Sequence, residues 1–310
     1  MRERSKFIAK IAPIQDKGEI FMTGTGTQAD PYICDTWEEL ISVSTSRNNY
    51  IQMSDSGAKV VDFNEIQSGG FQSTVNLSGQ INFKGWTFKN FYSTALKAVN
   101  VANGSSWEHL TFDDFLQEAA ATASGGAGFI CSDTGSSAIS IRDCHFFGKV
   151  NYGIYSTSAA IVFNSWNYRI ITFEQCAFNV ECACTSGVFS LFRAKSIRNC
   201  NVKFDINSLT ANLVQSNSTA SEQYIFNSLI EGKISVSNTS GTVLVGSGQS
   251  GYNVFKVETN VPMIYAGGGV SVFNNALSPD TVSTDSFVGC TPEQLRSASH
   301  LYSVGFPCYR

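Results

Sequence analysis

A six-residue pattern recurs along the chain, apolar at its first and sixth positions, mostly apolar at the fourth, mostly charged or polar at the second, and small or polar at the third. It reads FKGWTF from Phe83, WEHLTF from Trp107, IRDCHF from Ile141, FEQCAF from Phe173, IRNCNV from Ile197 and IFNSLI from Ile225, with a degenerate YNVFKV from Tyr252. Successive starts lie 24, 34, 32, 24, 28 and 27 residues apart. A strand alternates inward and outward residues strictly, and here the alternation breaks once, at the third position. Its occupants are Gly85, His109, Asp143, Gln175, Asn199 and Asn227. Gly and Asn, and less readily Asp and His, enter the left-handed backbone that a one-residue corner needs. The pattern therefore predicts a short strand, a corner and a second short strand, stacked as a solenoid of about eight coils.

The register has two consequences. Trp86, Leu110, Cys144, Cys176 and Cys200 fall at the same inward place, which Ser228 takes next. A place that accepts Trp, Leu and Cys requires burial rather than a thiol. The sequence DCH around Cys144 therefore reads as core, although in isolation it resembles a nucleophile beside a base. The second position reads Lys84, Glu108, Arg142, Glu174, Arg198, a column of alternating sign on the outside.

Composition agrees with a β-rich chain. Of 310 residues only 15% are charged, with 26 Gly and 23 Phe. The net charge of −4 is spread without blocks, which points away from nucleic acid and anionic membranes. No run approaches the roughly 20 apolar residues of a membrane span. The first residues, interrupted by Lys10 and followed by Gln15, Asp16 and Lys17, read as mature sequence rather than a signal peptide. Nine cysteines, an odd number, fit folding in a reducing cytosol better than a disulfide framework.

These features resemble the right-handed parallel β-helix of the pectin-lyase-like type, over roughly residues 50 to 275. The segment GTGTQADPYIC from Gly24 resembles the one that precedes the β-helix in many phage and bacterial proteins, with Ile33 one place early. TPEQLRSASHLYSVGFP from Thr291 resembles their closing segment. Thr36 with Glu39, and Thr291 with Gln294 after Pro292, each form a capping box for a short helix. Trp37 and Leu40 would cover one end, and Leu295, Leu301 and Phe306 the other. The organisation is then a docking arm at 1–22, an N-terminal cap at 23–49, the all-β solenoid at 50–275 and a C-terminal cap at 276–310. The resemblance implies a bacteriophage virion appendage (tail fibre, spike or head decoration), folded in the host cytoplasm and located on the virion. It implies contacts with other virion proteins or a host-surface polysaccharide, and a homotrimer.

Candidate chemistry is sparse. Glycoside hydrolysis uses two carboxylates about 5–9.5 Å apart, and the sequence offers Glu108, Asp113, Asp114 and Glu118 on one coil. Their alternative reading is one column residue and three turn residues, so a polysaccharide-degrading enzyme is the second hypothesis. A bacterial adhesin is the third. His109, His145 and His300 assemble into no triad. ECAC at 181–184 lacks a second ligand pair at zinc spacing, so no metal or cofactor is expected. For binding, the aromatic-bearing stretches KVNYGIY and NSWNYR put Tyr152, Trp166 and Tyr168 forward as sugar or receptor contacts.

Overall fold

The left-handed corners form where the pattern places them. Gly85, His109, Asp143, Gln175, Asn199 and Asn227 all have positive φ, between 49° and 79°. Each turns the chain once, so the residues on either side point their apolar side chains into a common interior. The computed structural model describes residues 23–56, 59–67, 69–119, 128–132, 136–152, 160–165, 170–217, 223–237, 242–251, 253–259, 270–273, 275–277 and 287–289.

Within these residues the strands pair in parallel and build a β-solenoid. The first face runs from Tyr32–Cys34 through Thr45–Met53, the leading parts of Ser78–Lys89 and Ser106–Ala119, then Ile139–Arg142, Ile171–Glu174, Ser196–Arg198, Gln223–Phe226 and the trailing part of Thr242–Gly251 to Val270–Phe273. Past the corner, a second face stacks the segments beginning at Thr111, His145, Ala177, Asn201, Leu229 and Val254. A third face follows, through Val150, Cys182 and Ile206. Whole turns number about 5, fewer than the eight expected from the repeat. At the ends, Tyr32–Cys34 pairs with Thr45–Met53, and Phe287–Gly289 pairs with Asn275–Leu277.

The interior is a set of ladders. Ile81, Trp107, Ile141, Phe173, Ile197 and Ile225 are buried at the first position. On the second face Phe112, Phe146 and Phe178 stack ring over ring, with centroids 5.9 and 5.2 Å apart. Offset stacks of this kind add about 0.5–1.5 kcal/mol per pair beyond burial. All seven described cysteines are buried.

The expected register fails at both ends of the repeat. Asn82, not Lys84, lies opposite Glu108, and Trp86 lies opposite Leu110. Phe83, Lys84 and Gly85 thus occupy the space of the single residue His109, with Lys84 (φ 56°) and Gly85 (φ 79°) both left-handed. Ile81 takes the first position, and Lys84 leaves the charged column to approach Asp55 at 3.9 Å. In the last motif Gly251 pairs with Phe226 and Val254 with Leu229, which puts Asn253 at the inward fourth place. The true hexapeptide starts at Ser250, two residues before Tyr252, which lies outside the described residues.

A capping box forms near the front end. Thr36 accepts from the backbone of Glu39, whose carboxylate accepts from the backbone of Thr36, and the helix Trp37–Val43 buries Trp37, Leu40 and Val43. Trp37 meets Phe63 and Phe88 edge to face at 4.9 and 5.3 Å. A second short helix, Phe63–Ile66, capped by Asp62, joins it. Within GTGT, Gly26 has φ 74°, and a Cβ there would lie 2.3 Å from the Tyr32 ring. The arm at 1–22 and the closing segment from Thr291 lie outside the described residues.

Candidate functional site

The first face presents two outward columns between its buried rows. One runs Tyr50, Gln80, Ser106, Ser140, Thr172, and the other Gln52, Asn82, Glu108, Arg142, Glu174, Arg198. In-register parallel stacking sets successive members about 4.8 Å apart. Arg142 closes on Glu108 at 2.6 Å. Among the described residues Glu174 forms no ion pair with either flanking arginine. The corner column beside them is joined by side chains. His109 Nδ1 lies 3.1 Å from Asn82 Oδ1, and its Nε2 lies 3.5 Å from Asp143 Oδ2.

Near the front end this face deepens into two adjoining depressions. One, of about 330 Å³, lies between Gln28 and Pro31 of the leading loop and the strand residues Tyr50, Gln80, Asn82 and Glu108. The other, of about 310 Å³, is lined by Arg47, Asn48, Tyr50, Gln80, Gly104 and Ser137. Tyr50 and Gln80 belong to both. The cause is an irregularity in the strand Thr45–Met53: Thr45 pairs with Ser78 and Tyr50 with Gln80, so the chain between leaves the sheet. Gln80 is fixed as the floor. Its Nε2 donates to the carbonyls of Gly104 (2.6 Å) and Arg47 (3.1 Å), and its Oε1 accepts from Ser106 Oγ (2.7 Å). Gly104 (φ 84°) keeps the floor low, since a Cβ there would lie 3.3 Å from the Arg47 side chain.

The register sets Leu110, Cys144, Cys176, Cys200 and Ser228 at one level of successive coils. Each sulfur donates toward the carbonyl two residues before it, as Cys144 does to Arg142 at 3.2 Å and Cys200 to Arg198 at 3.0 Å. Ser228 makes the same bond to Phe226 at 3.0 Å. The place thus suits a small side chain with a weak donor, a preference the sequence reading missed. Burial pushes the Cys144 thiol up to about 12 and holds Cys176 well above the ordinary thiol range. Such thiols are poor nucleophiles at neutral pH.

The carboxylates chosen from the sequence do not converge. Left-handed corners at His109 and Asp114 (φ 60° and 56°) separate Glu108, Asp113 and Glu118 onto three successive faces. Glu108 is held by Arg142, Glu118 accepts from the Tyr92 hydroxyl at 3.1 Å, and Asp114 sits in a bulge opposite no residue of the next coil. No group of three or more His, Cys, Asp or Glu side chains suited to a metal ion forms among the described residues.

Tyr152 is a correction. It ends the strand His145–Tyr152, is buried to 2% exposure, and donates its hydroxyl to Gln117 Oε1 at 2.8 Å. The alternation continues past Gly148 and carries its ring inward, so it is no surface contact. Trp166 and Tyr168 lie outside the described residues. Cys182 and Cys184 of ECAC both point inward on the third face.

The depressions around Tyr50 and Gln80 went unnoticed in the sequence. The available signal was the polar run TSRNN, which interrupts alternation before the buried Ile51. No family model matches the chain, and no curated protein or solved structure matches it.

Proposed function

We propose that this chain is a structural and binding subunit of a bacteriophage virion appendage, and that its first face contacts a host-surface glycan. The observation that carries the binding reading is the pair of depressions sharing Tyr50 and Gln80. An aromatic ring beside ordered amides and hydroxyls, on a rigid sheet, is the chemistry that holds polyhydroxylated ligands. The virion assignment rests on the likeness of GTGTQADPYIC to segments that precede phage β-helices, with contacts to neighbouring virion proteins and a homotrimer as its corollaries. The polysaccharide-cleaving alternative loses the carboxylate pair it was built on.

The test has two arms. Mass spectrometry of purified particles should find this chain, and a panel of immobilised host polysaccharides should retain it. Retention that survives Tyr50→Ala together with Gln80→Ala would remove the first face from the account. Absence from particles would end the virion reading.

A further inference from the structure

Arg47 is the cation that lines the second depression of the first face. It forms no ion pair among the described residues, whereas Arg142 on the same face is neutralised by Glu108. Among the described residues its side chain makes one hydrogen bond, a long one, from Nη1 to the carbonyl of Asn103 at 3.5 Å. It is exposed on the excursion of the strand Thr45–Met53, at the wall of the 310 Å³ depression. Tyr50, on the same rim, offers a hydroxyl with no hydrogen-bond partner among the described residues. Ser137 and Asn48 complete the wall.

We propose that this depression binds an acidic sugar residue, with its carboxylate on the Arg47 guanidinium and its ring against Tyr50. The proposal rests on the glycan-contact reading and adds the charge class of the ligand. A guanidinium presents parallel N–H donors that match a carboxylate in a two-point contact. The fixed Gln80 supplies the floor, because both of its amide hydrogens and its oxygen are already engaged. Its role is to hold shape, leaving Arg47, Tyr50, Asn48 and Ser137 to contact the ligand. The nearest carboxylate in the adjoining depression, Glu108, is held by Arg142 at 2.6 Å, which limits repulsion of an incoming anion.

The experiment measures binding of the full chain to a glucuronate-containing tetrasaccharide and to a neutral glucose tetrasaccharide, at matched ionic strength, for wild type, Arg47→Gln and Arg47→Lys. Wild type should prefer the acidic sugar by about tenfold or more, the size expected of a hydrogen-bonded charge. Arg47→Gln should erase that preference and keep the wild-type melting temperature. Arg47→Lys should restore part of it. Equal affinity of wild type for both sugars, or a preference that survives Arg47→Gln, overturns the acidic assignment and leaves the glycan-contact reading standing. Binding of neither sugar overturns both. Sodium acetate competing as well as the tetrasaccharide would show a bare anion site and overturn the assignment of a sugar.

Discussion

Asn227 donates from Nδ2 to Asn199 Oδ1 at 2.6 Å across neighbouring coils, and both residues hold a left-handed backbone at φ 53°. One side-chain type thus serves two needs, since Asn tolerates this conformation and its carboxamide links the corners. Gln175, one coil earlier, holds φ 56° with a longer side chain. Left-handed backbone costs an ordinary L-residue about 1–2 kcal/mol. Gln175→Asn should therefore stabilise the chain by up to about 1 kcal/mol, and Gln175→Val should destabilise it by about 1–2 kcal/mol. Urea unfolding midpoints measure both.

Tyr152 makes a second test, because its assignment changed from surface to core. Its hydroxyl is the partner of Gln117 Oε1, inside the solenoid. Tyr152→Phe leaves that oxygen buried and unpaired, which should cost about 1–3 kcal/mol. Glycan retention at a temperature where the variant is folded should not change. Loss of retention with unchanged stability would return Tyr152 to the surface.

The pair Glu108–Arg142 should contribute little by itself. Both side chains are well exposed, Glu108 at 32% and Arg142 at 46%. Exposed ion pairs are worth about 0–1 kcal/mol and weaken with salt. A double-mutant cycle with Glu108→Gln and Arg142→Gln should give a coupling below about 1 kcal/mol at low salt, shrinking at high salt. The column's role is then register, through exclusion of like charges, more than strength.

Corners were legible in the sequence because left-handed backbone is a local demand that Gly, Asn, Asp and His advertise. The inward ladder followed from them. The register at Lys84 was not legible, since the corner there holds Phe83, Lys84 and Gly85 instead of one residue. Only the neighbouring coil shows that Asn82 faces Glu108. Asn253 was hidden for another reason. A buried polar side chain breaks the apolar rule, and its hydrogen bonds to Ser228 N (2.9 Å) and Ile225 O (3.1 Å) exist only in the stack. The depression at Arg47 joins residues from distant parts of the chain, including Gly104 and Ser137, so no local pattern announced it.

Alkaline pH should weaken the fold. Burial raises the Cys34 and Cys144 thiols to about 12 from an ordinary 9.0, and it raises Cys176 and Cys182 in the same direction. Once pH passes 9, unfolded thiols ionise while the folded ones keep their protons. The unfolded state then binds fewer protons, so stability falls as pH rises from about 9 toward 12. It is fully present below about 9. Urea midpoints should hold between about pH 7 and 8 and decline at about pH 10.5, and Cys144→Ala should make that decline shallower.

The stacked interior is the claim on which the binding face, the corners and the register all depend, and thiol accessibility measures it directly. The folded chain is treated with a water-soluble thiol reagent, and the modified peptides are mapped by mass. Cys144, Cys176 and Cys200, at 0%, 2% and 3% exposure, should stay unmodified in the folded chain and react fully in denaturant. Rapid modification of these three while the fold persists would contradict the solenoid and everything placed upon it.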